Sequence, residues 1–130
     1  MQNALERILL VDDEQDIRTI AQLSLESIGG YTTEPCRNGE EALAKANQFD
    51  PELILMDVMM PGKDGPSTLL AMKEIAHLKK IPVVFMTARV QQSEIDEYLE
   101  LGAVAVISKP FDPMKLPAQV REIWQDIATN

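Results

Sequence analysis

Short apolar runs and longer stretches of amphipathic spacing alternate along this chain. "RILLV" at 7–11 is brief, continuously apolar and bounded by charge, which predicts a buried strand. Ile17, Ile20, Ala21, Leu23, Leu25 and Ile28 then recur at mostly helical spacing and stop at Gly29-Gly30, a helix-ending signal. "YTTEPC" is a weaker strand, and Gly39 through Asn47, with Ala42, Leu43 and Ala46, predicts a short helix. "LILM" at 53–56 precedes a loop holding Pro61, Gly62, Gly65 and Pro66, then a helix from about Ser67 to Leu78. "PVVFMT" at 82–87 leads to a helix from about Ser93 to Leu101, and "AVAVIS" at 103–108 to a last helix ending near Ala128. Strands apolar on both faces, each followed by an amphipathic helix, predict an α/β fold: a parallel sheet of five strands, doubly wound by five helices.

Composition narrows the class. A chain of 130 residues, 45% hydrophobic and 25% charged, fits one globular domain over residues 1–130, with no linker or low-complexity tract. The apolar runs are strand-sized and no signal peptide opens the chain, so no membrane association and a cytoplasmic address are expected. Cys36 is the only cysteine and lacks companions at metal-ligand spacing, which predicts a small buried thiol. A formal net charge of −9 argues against a phosphate-backbone partner, so no direct nucleic-acid binding is expected.

In an open parallel sheet, ligands bind outside the carboxyl ends of the strands, where strand order reverses. The polar residues at those ends are Asp12 and Asp13 after strand 1, Asp57 after strand 3, Thr87 closing strand 4 and Lys109 after strand 5. If strands 1 and 3 are neighbours, three carboxylates share one volume, which costs free energy unless a cation or protons neutralise them. An oxygen-only donor set with room for water suits Mg²⁺. An ammonium and a hydroxyl on the same rim are the donors expected around a phosphoryl group, and Asp57 is the natural nucleophile for an acyl phosphate. Asp12 and Asp13 also have a plainer reading as the acidic start of a helix.

The four pieces "LLVDDE", "LILMDVMMPGKDG", "PVVFMTA" and "ISKPF", in order and each at a strand end, resemble the receiver domains of two-component response regulators over nearly the whole chain. The chain is similar in this to single-domain chemotaxis-type regulators. The resemblance implies the flavodoxin-like strand order 2-1-3-4-5. It also implies a phosphoacceptor that catalyses only its own phosphorylation and dephosphorylation, and so is not an enzyme in the turnover sense. By resemblance, a phosphohistidine on a sensor histidine kinase or histidine phosphotransfer protein donates to Asp57. Asp13, Asp57 and the backbone carbonyl of Met59 hold Mg²⁺, with Asp12 assisting through water. Thr87 and Lys109 bind the phosphoryl oxygens, and the Lys109–Pro110 peptide is cis. A downstream effector would read the switched surface of a monomer or weak dimer.

Receivers often carry an aromatic residue three positions before the lysine, where this chain has Val106. Switching should then run through the loop after Thr87 and the helix beginning near Ser93, with that helix, the last strand and the last helix as the partner face. Pro117 would break a helix capped by Asp112, so the last helix should start late or kink. His77 is expected as a capping or solvated residue, and the methionines as packing filler.

Other classes fit less well. A haloacid-dehalogenase-type Mg²⁺ phosphatase wants a second Asp two residues after the first and a Thr two further on, where Met59 and Pro61 stand. An FMN carrier would bring a Ser/Thr/Gly-rich loop after strand 1, where Asp12-Asp13-Glu14 would repel phosphate. A docking module that has lost its chemistry would not keep all five site positions. The polar end Ala128-Thr129-Asn130 reads as a finished terminus. A stand-alone regulator is therefore expected, with a fragment of a larger regulator or hybrid kinase as the alternative.

Overall fold

The computed structural model describes residues 4–129; Asn130, the last residue of the expected polar end, lies outside them. Strands β1 (Arg7–Val11), β2 (Thr32–Cys36), β3 (Leu53–Asp57), β4 (Val83–Thr87) and β5 (Ala105–Ser108) pair in parallel in the order β2-β1-β3-β4-β5. The helices that return the chain are α1 (Gln15–Leu23), α2 (Gly39–Phe49), α3 (Gly65–Lys73), α4 (Gln92–Leu101) and α5 (Leu116–Thr129).

Side chains alternate between the faces of a strand, so a run apolar at every position serves two cores. Leu9, Val11, Ile54, Met56, Val83 and Phe85 pack with Ala42 and Ala46 of α2, Leu69 and Met72 of α3 and Tyr98 of α4. On the opposite face Ile8, Leu10, Leu53, Leu55, Val84, Met86 and Ile107 pack with Ala21 and Leu25, and with Leu116 and Val120 of α5. Truncating one of the fully buried leucines to alanine would cost roughly 2–5 kcal/mol through lost transfer energy and the cavity left behind. Phe85 and Tyr98 meet edge to face, ring centroids 5.5 Å apart at 79°, which joins β4 to α4.

Local chemistry explains the departures from the predicted boundaries. The apolar stretch to Ile28 does not stay α-helical: α1 passes at Ser24 into a π-helical turn, Ser24–Ile28, which buries Ser24 and Leu25 and directs the Ser24 hydroxyl to the Pro113 carbonyl. Helix α3 begins at Gly65 because Asp64 caps it, its carboxylate accepting the Ser67 N–H at 2.8 Å. It ends at Lys73, and residues 74–80 continue as turns that leave His77 exposed. The last helix starts late. Asp112 accepts the Met114 N–H at 2.9 Å in a preceding turn, so Pro117 falls in the first turn of α5, where a missing N–H breaks no helical bond. Cys36 is fully buried, and desolvation pushes its thiol up to about 12.

Candidate functional site

Strand register assembles the site. Val11 pairs with Met56, so Asp12 and Asp57, one residue further along each strand, leave the sheet side by side. Asp57 pairs with Met86, Thr87 pairs with Ser108, and the next residue, Lys109, donates its N–H to the Thr87 carbonyl at 2.9 Å. Four strand ends thus deliver Asp12, Asp57, Thr87 and Lys109 to one rim at the switch point between β1 and β3. The Lys109–Pro110 peptide is cis.

Asp12, Asp13 and Asp57 each offer a carboxylate oxygen within 4.8 Å of the others, with Asp13 the most exposed of the three. This donor set contains no nitrogen or sulfur, which suits a hard cation and could hold a metal ion. The Lys109 ammonium lies 2.8 Å from Asp12 Oδ2 and 3.3 Å from Asp57 Oδ1, bridging two carboxylates that are almost fully buried. Burial first, and then the charge of Asp12, pushes the Asp57 carboxyl up to about 6, although Lys109 pulls it the other way. Burial alone would lower the Lys109 ammonium. Its hydrogen bond to Asp12 and the charges of Asp12 and Asp57 outweigh that, so it stands above the ordinary lysine value.

Thr87 is buried, and its Oγ1 accepts the Arg89 N–H at 3.0 Å, which leaves its own proton available to donate. The Met59 side chain is exposed, so of that residue only the backbone carbonyl fits an oxygen-donor role. Val106 is half-buried against the core on the α4 side, and Ala88 is exposed beside the site. Between the site and α1 lies a groove of about 370 Å³ whose lining, Ile17, Ile20, Pro110, Phe111 and Pro113 among it, is largely apolar.

Sequence spacing missed the supporting residues. Arg18 donates to the Asp12 carbonyl at 2.7 Å, and the Glu14 N–H donates to Asp12 Oδ1 at 2.9 Å, fixing the end of β1. A basic residue on an otherwise apolar-periodic helix, one turn beyond the acidic run, was the available signal. Gly65 approaches the Asp57 backbone so closely that a Cβ there would meet the Asp57 carbonyl oxygen at 2.6 Å. A glycine two places after Lys63 in a turn-rich loop carried no such message.

Five parallel strands in this order, with an acidic cluster and a lysine at their carboxyl ends, define a flavodoxin-like domain of the chemotaxis-regulator type. The chain belongs to the response regulator receiver domain family, whose model matches residues 8–121. The response regulator Rre1 of Synechocystis is 38% identical over 116 residues, which is 89% of this chain and 50% of that protein. The alkaline phosphatase synthesis transcriptional regulatory protein PhoP of Bacillus subtilis is 39% identical over 119 residues, 91% of this chain and 48% of the relative. The chain spans about half the length of the curated relatives it matches. Among solved structures, chemotaxis protein CheY4 of Vibrio cholerae matches with a TM-score of 0.85 at 30% identity, covering 92% of this chain and 99% of that one. The protein is therefore a receiver domain of two-component signalling. Among the described residues no helix is long and apolar enough to cross a membrane.

Proposed function

We propose that Asp57 accepts a phosphoryl group from the phosphohistidine of a sensor histidine kinase or histidine phosphotransfer protein, and that the modified domain presents an altered surface to a downstream effector. The observation that carries this reading is the Lys109 ammonium shared between Asp12 and Asp57 inside a three-carboxylate cluster. Asp57 Oδ forms the new O–P bond as the P–N bond to the donor imidazole breaks. Lys109, already charged and in place, faces one of the phosphoryl oxygens, and the Thr87 hydroxyl donates to another. Asp13, Asp57 and the Met59 carbonyl would hold Mg²⁺, with Asp12 assisting through water. Bound there, Mg²⁺ supplies charge neutralisation for the transferring group. The apolar groove beside Lys109 and Ala88 gives the donor protein a surface to dock against.

The unit is a single receiver domain over residues 1–130, located in the cytoplasm and acting as a monomer or weak dimer. Its acidic charge keeps this domain itself off nucleic acid, whatever the longer relatives do. Acetyl phosphate or beryllium fluoride tests the chemistry: Asp57 should be modified or occupied only with Mg²⁺ present. Equal labelling of Asp57→Asn protein, or labelling undiminished by chelator, overturns the assignment.

A further inference from the structure

The groove beside the acceptor site has a volume of about 370 Å³, within the roughly 300–1,000 Å³ that small-molecule sites span. Ile17 and Ile20 of α1, with Pro110, Phe111 and Pro113 after β5, give it an apolar lining. Two residues join it to the chemistry. Lys109 lines the groove, and its ammonium lies 3.3 Å from Asp57 Oδ1. Ala88, which also lines it, is the chain neighbour of Thr87. A phosphoryl group held between Asp57 and Lys109 therefore has apolar surface next to it.

The lining narrows the ligand. Among the described residues that form it there is no amide or hydroxyl side chain and no cation besides Lys109, so nothing there would pair the edge of a nucleotide base or neutralise a chain of phosphates. Glu14, the other charged member, would repel a second anionic group. One anionic head and an apolar tail match these surroundings. The chemistry at Asp57 names the head. Its product is an acyl phosphate, so a donor that is itself an acyl phosphate passes the group from one carboxylate to another at nearly equal energy, whereas an ordinary phosphate ester would have to transfer uphill.

We propose that this groove seats the hydrocarbon chain of a small acyl phosphate, so that the domain takes its phosphoryl group faster from longer-chain donors than from acetyl phosphate. This rests on the phosphoacceptor reading and deepens it by naming a class of small-molecule substrate for the same site. Asp57 Oδ attacks phosphorus as the bond from phosphorus to the bridging oxygen breaks. The electron pair of that bond leaves with the acid, which departs as its carboxylate and needs no proton. Lys109 faces the phosphoryl group, and the chain lies against Ile17, Ile20 and Phe111. An acetyl group has only a methyl to offer this surface. Each further methylene removes apolar area from water and should raise transfer by about two- to fourfold.

The test measures labelling of Asp57 in the whole chain, with Mg²⁺, from acetyl, propionyl and butyryl phosphate, each rate divided by that donor's own rate of hydrolysis. Expected is a stepwise rise that reaches roughly tenfold from acetyl to butyryl. The butyryl-to-acetyl ratio should collapse toward unity in Ile17→Ser with Ile20→Ser. If that double variant fails to fold, Ile20→Ser decides alone, since Ile20 is already 43% exposed. Seating is read apart from transfer with pentylphosphonate, which matches butyryl phosphate in length and has no group to give up. It should shift the methyl resonances of Ile17 and Ile20, and methylphosphonate should leave them in place. The proposal is overturned if the corrected rates are equal across donors, which would leave the groove to the donor protein alone. It is equally overturned if the ratio survives in the serine variants or if pentylphosphonate moves neither isoleucine. Labelling by no donor at all, or equal labelling of Asp57→Asn, would bring down the phosphoacceptor reading and this one with it, whereas labelling without chain preference brings down this one only.

Discussion

Asp57→Asn, examined in chelator, measures what the acidic pocket costs the resting protein. The Asp57 carboxyl is raised from an ordinary 3.8 to about 6, so between those values the folded state holds a proton that the unfolded state has lost. Stability of the parent must therefore fall as pH rises through that window, and above about 6 the full penalty applies. A displacement of that size corresponds to about 3 kcal/mol at 25 °C. The side chain is 6% exposed, so solvent screening reduces the figure little. Asparagine is the neutral near-isostere, and Asp12, 2.8 Å from Lys109 in the parent, remains as a partner for the ammonium. At pH 7.5 with chelator, Asp57→Asn should be the more stable protein by up to about 3 kcal/mol, on the order of 10 °C in Tm for a domain of this size. The gap should close as pH falls through 6 toward 4. Added Mg²⁺ should stabilise the parent by binding only its folded state and leave the variant nearly unmoved. Calorimetry across pH, with and without Mg²⁺, reads all three. A variant less stable than the parent at pH 7.5 in chelator, or an advantage independent of pH, would refute the electrostatic account.

Three further outcomes follow from the same geometry. Lys109→Met leaves the buried Asp12 and Asp57 without their cation and should cost roughly 3 kcal/mol at pH 7 by urea denaturation, together with loss of acetyl phosphate labelling. Gly65→Ala places a Cβ 2.6 Å from the Asp57 carbonyl oxygen and should destabilise by about 1–3 kcal/mol while slowing phosphorylation at Asp57; unchanged labelling kinetics would show that the loop gives way without moving the carboxylate. Beryllium fluoride with Mg²⁺ should alter hydrogen exchange in residues 57–65 and 87–97, an effect lost in Thr87→Ala and nearly kept in Val106→Ala; equal losses would make Val106 part of the switch.

The fold was legible because the strands are apolar on both faces and the helices on one, so period alone separated them, and strand ends then located Asp12, Asp57, Thr87 and Lys109. What stayed hidden depends on neighbours remote in sequence. The π-helical turn at Ser24–Ile28 answers to the Pro113 carbonyl and to Thr33, neither of which spacing within α1 can reveal. The support of Asp12 by Arg18 and the close approach of Gly65 to Asp57 are contacts to backbone, for which a basic residue on α1 is a faint signal and a glycine in a turn-rich loop none. Pro117 was readable because proline imposes its constraint locally, and the late start of α5 obeys it.

The Phe85 and Tyr98 rings set a mechanical condition on any motion in this domain. Phe85 lies two residues before Thr87, and its Cε1 stands 3.2 Å from where a Cβ on Gly65 would be, so the ring stands against the start of α3 behind Asp57. The same ring meets the Tyr98 ring on α4 edge to face. Both rings are buried. The pair links two elements: a roll of α4 against the sheet would press the Tyr98 ring on Phe85, and Phe85 stands against the segment that follows Asp57. A displacement of α4 would therefore be felt first, through the two rings, at the segment behind Asp57.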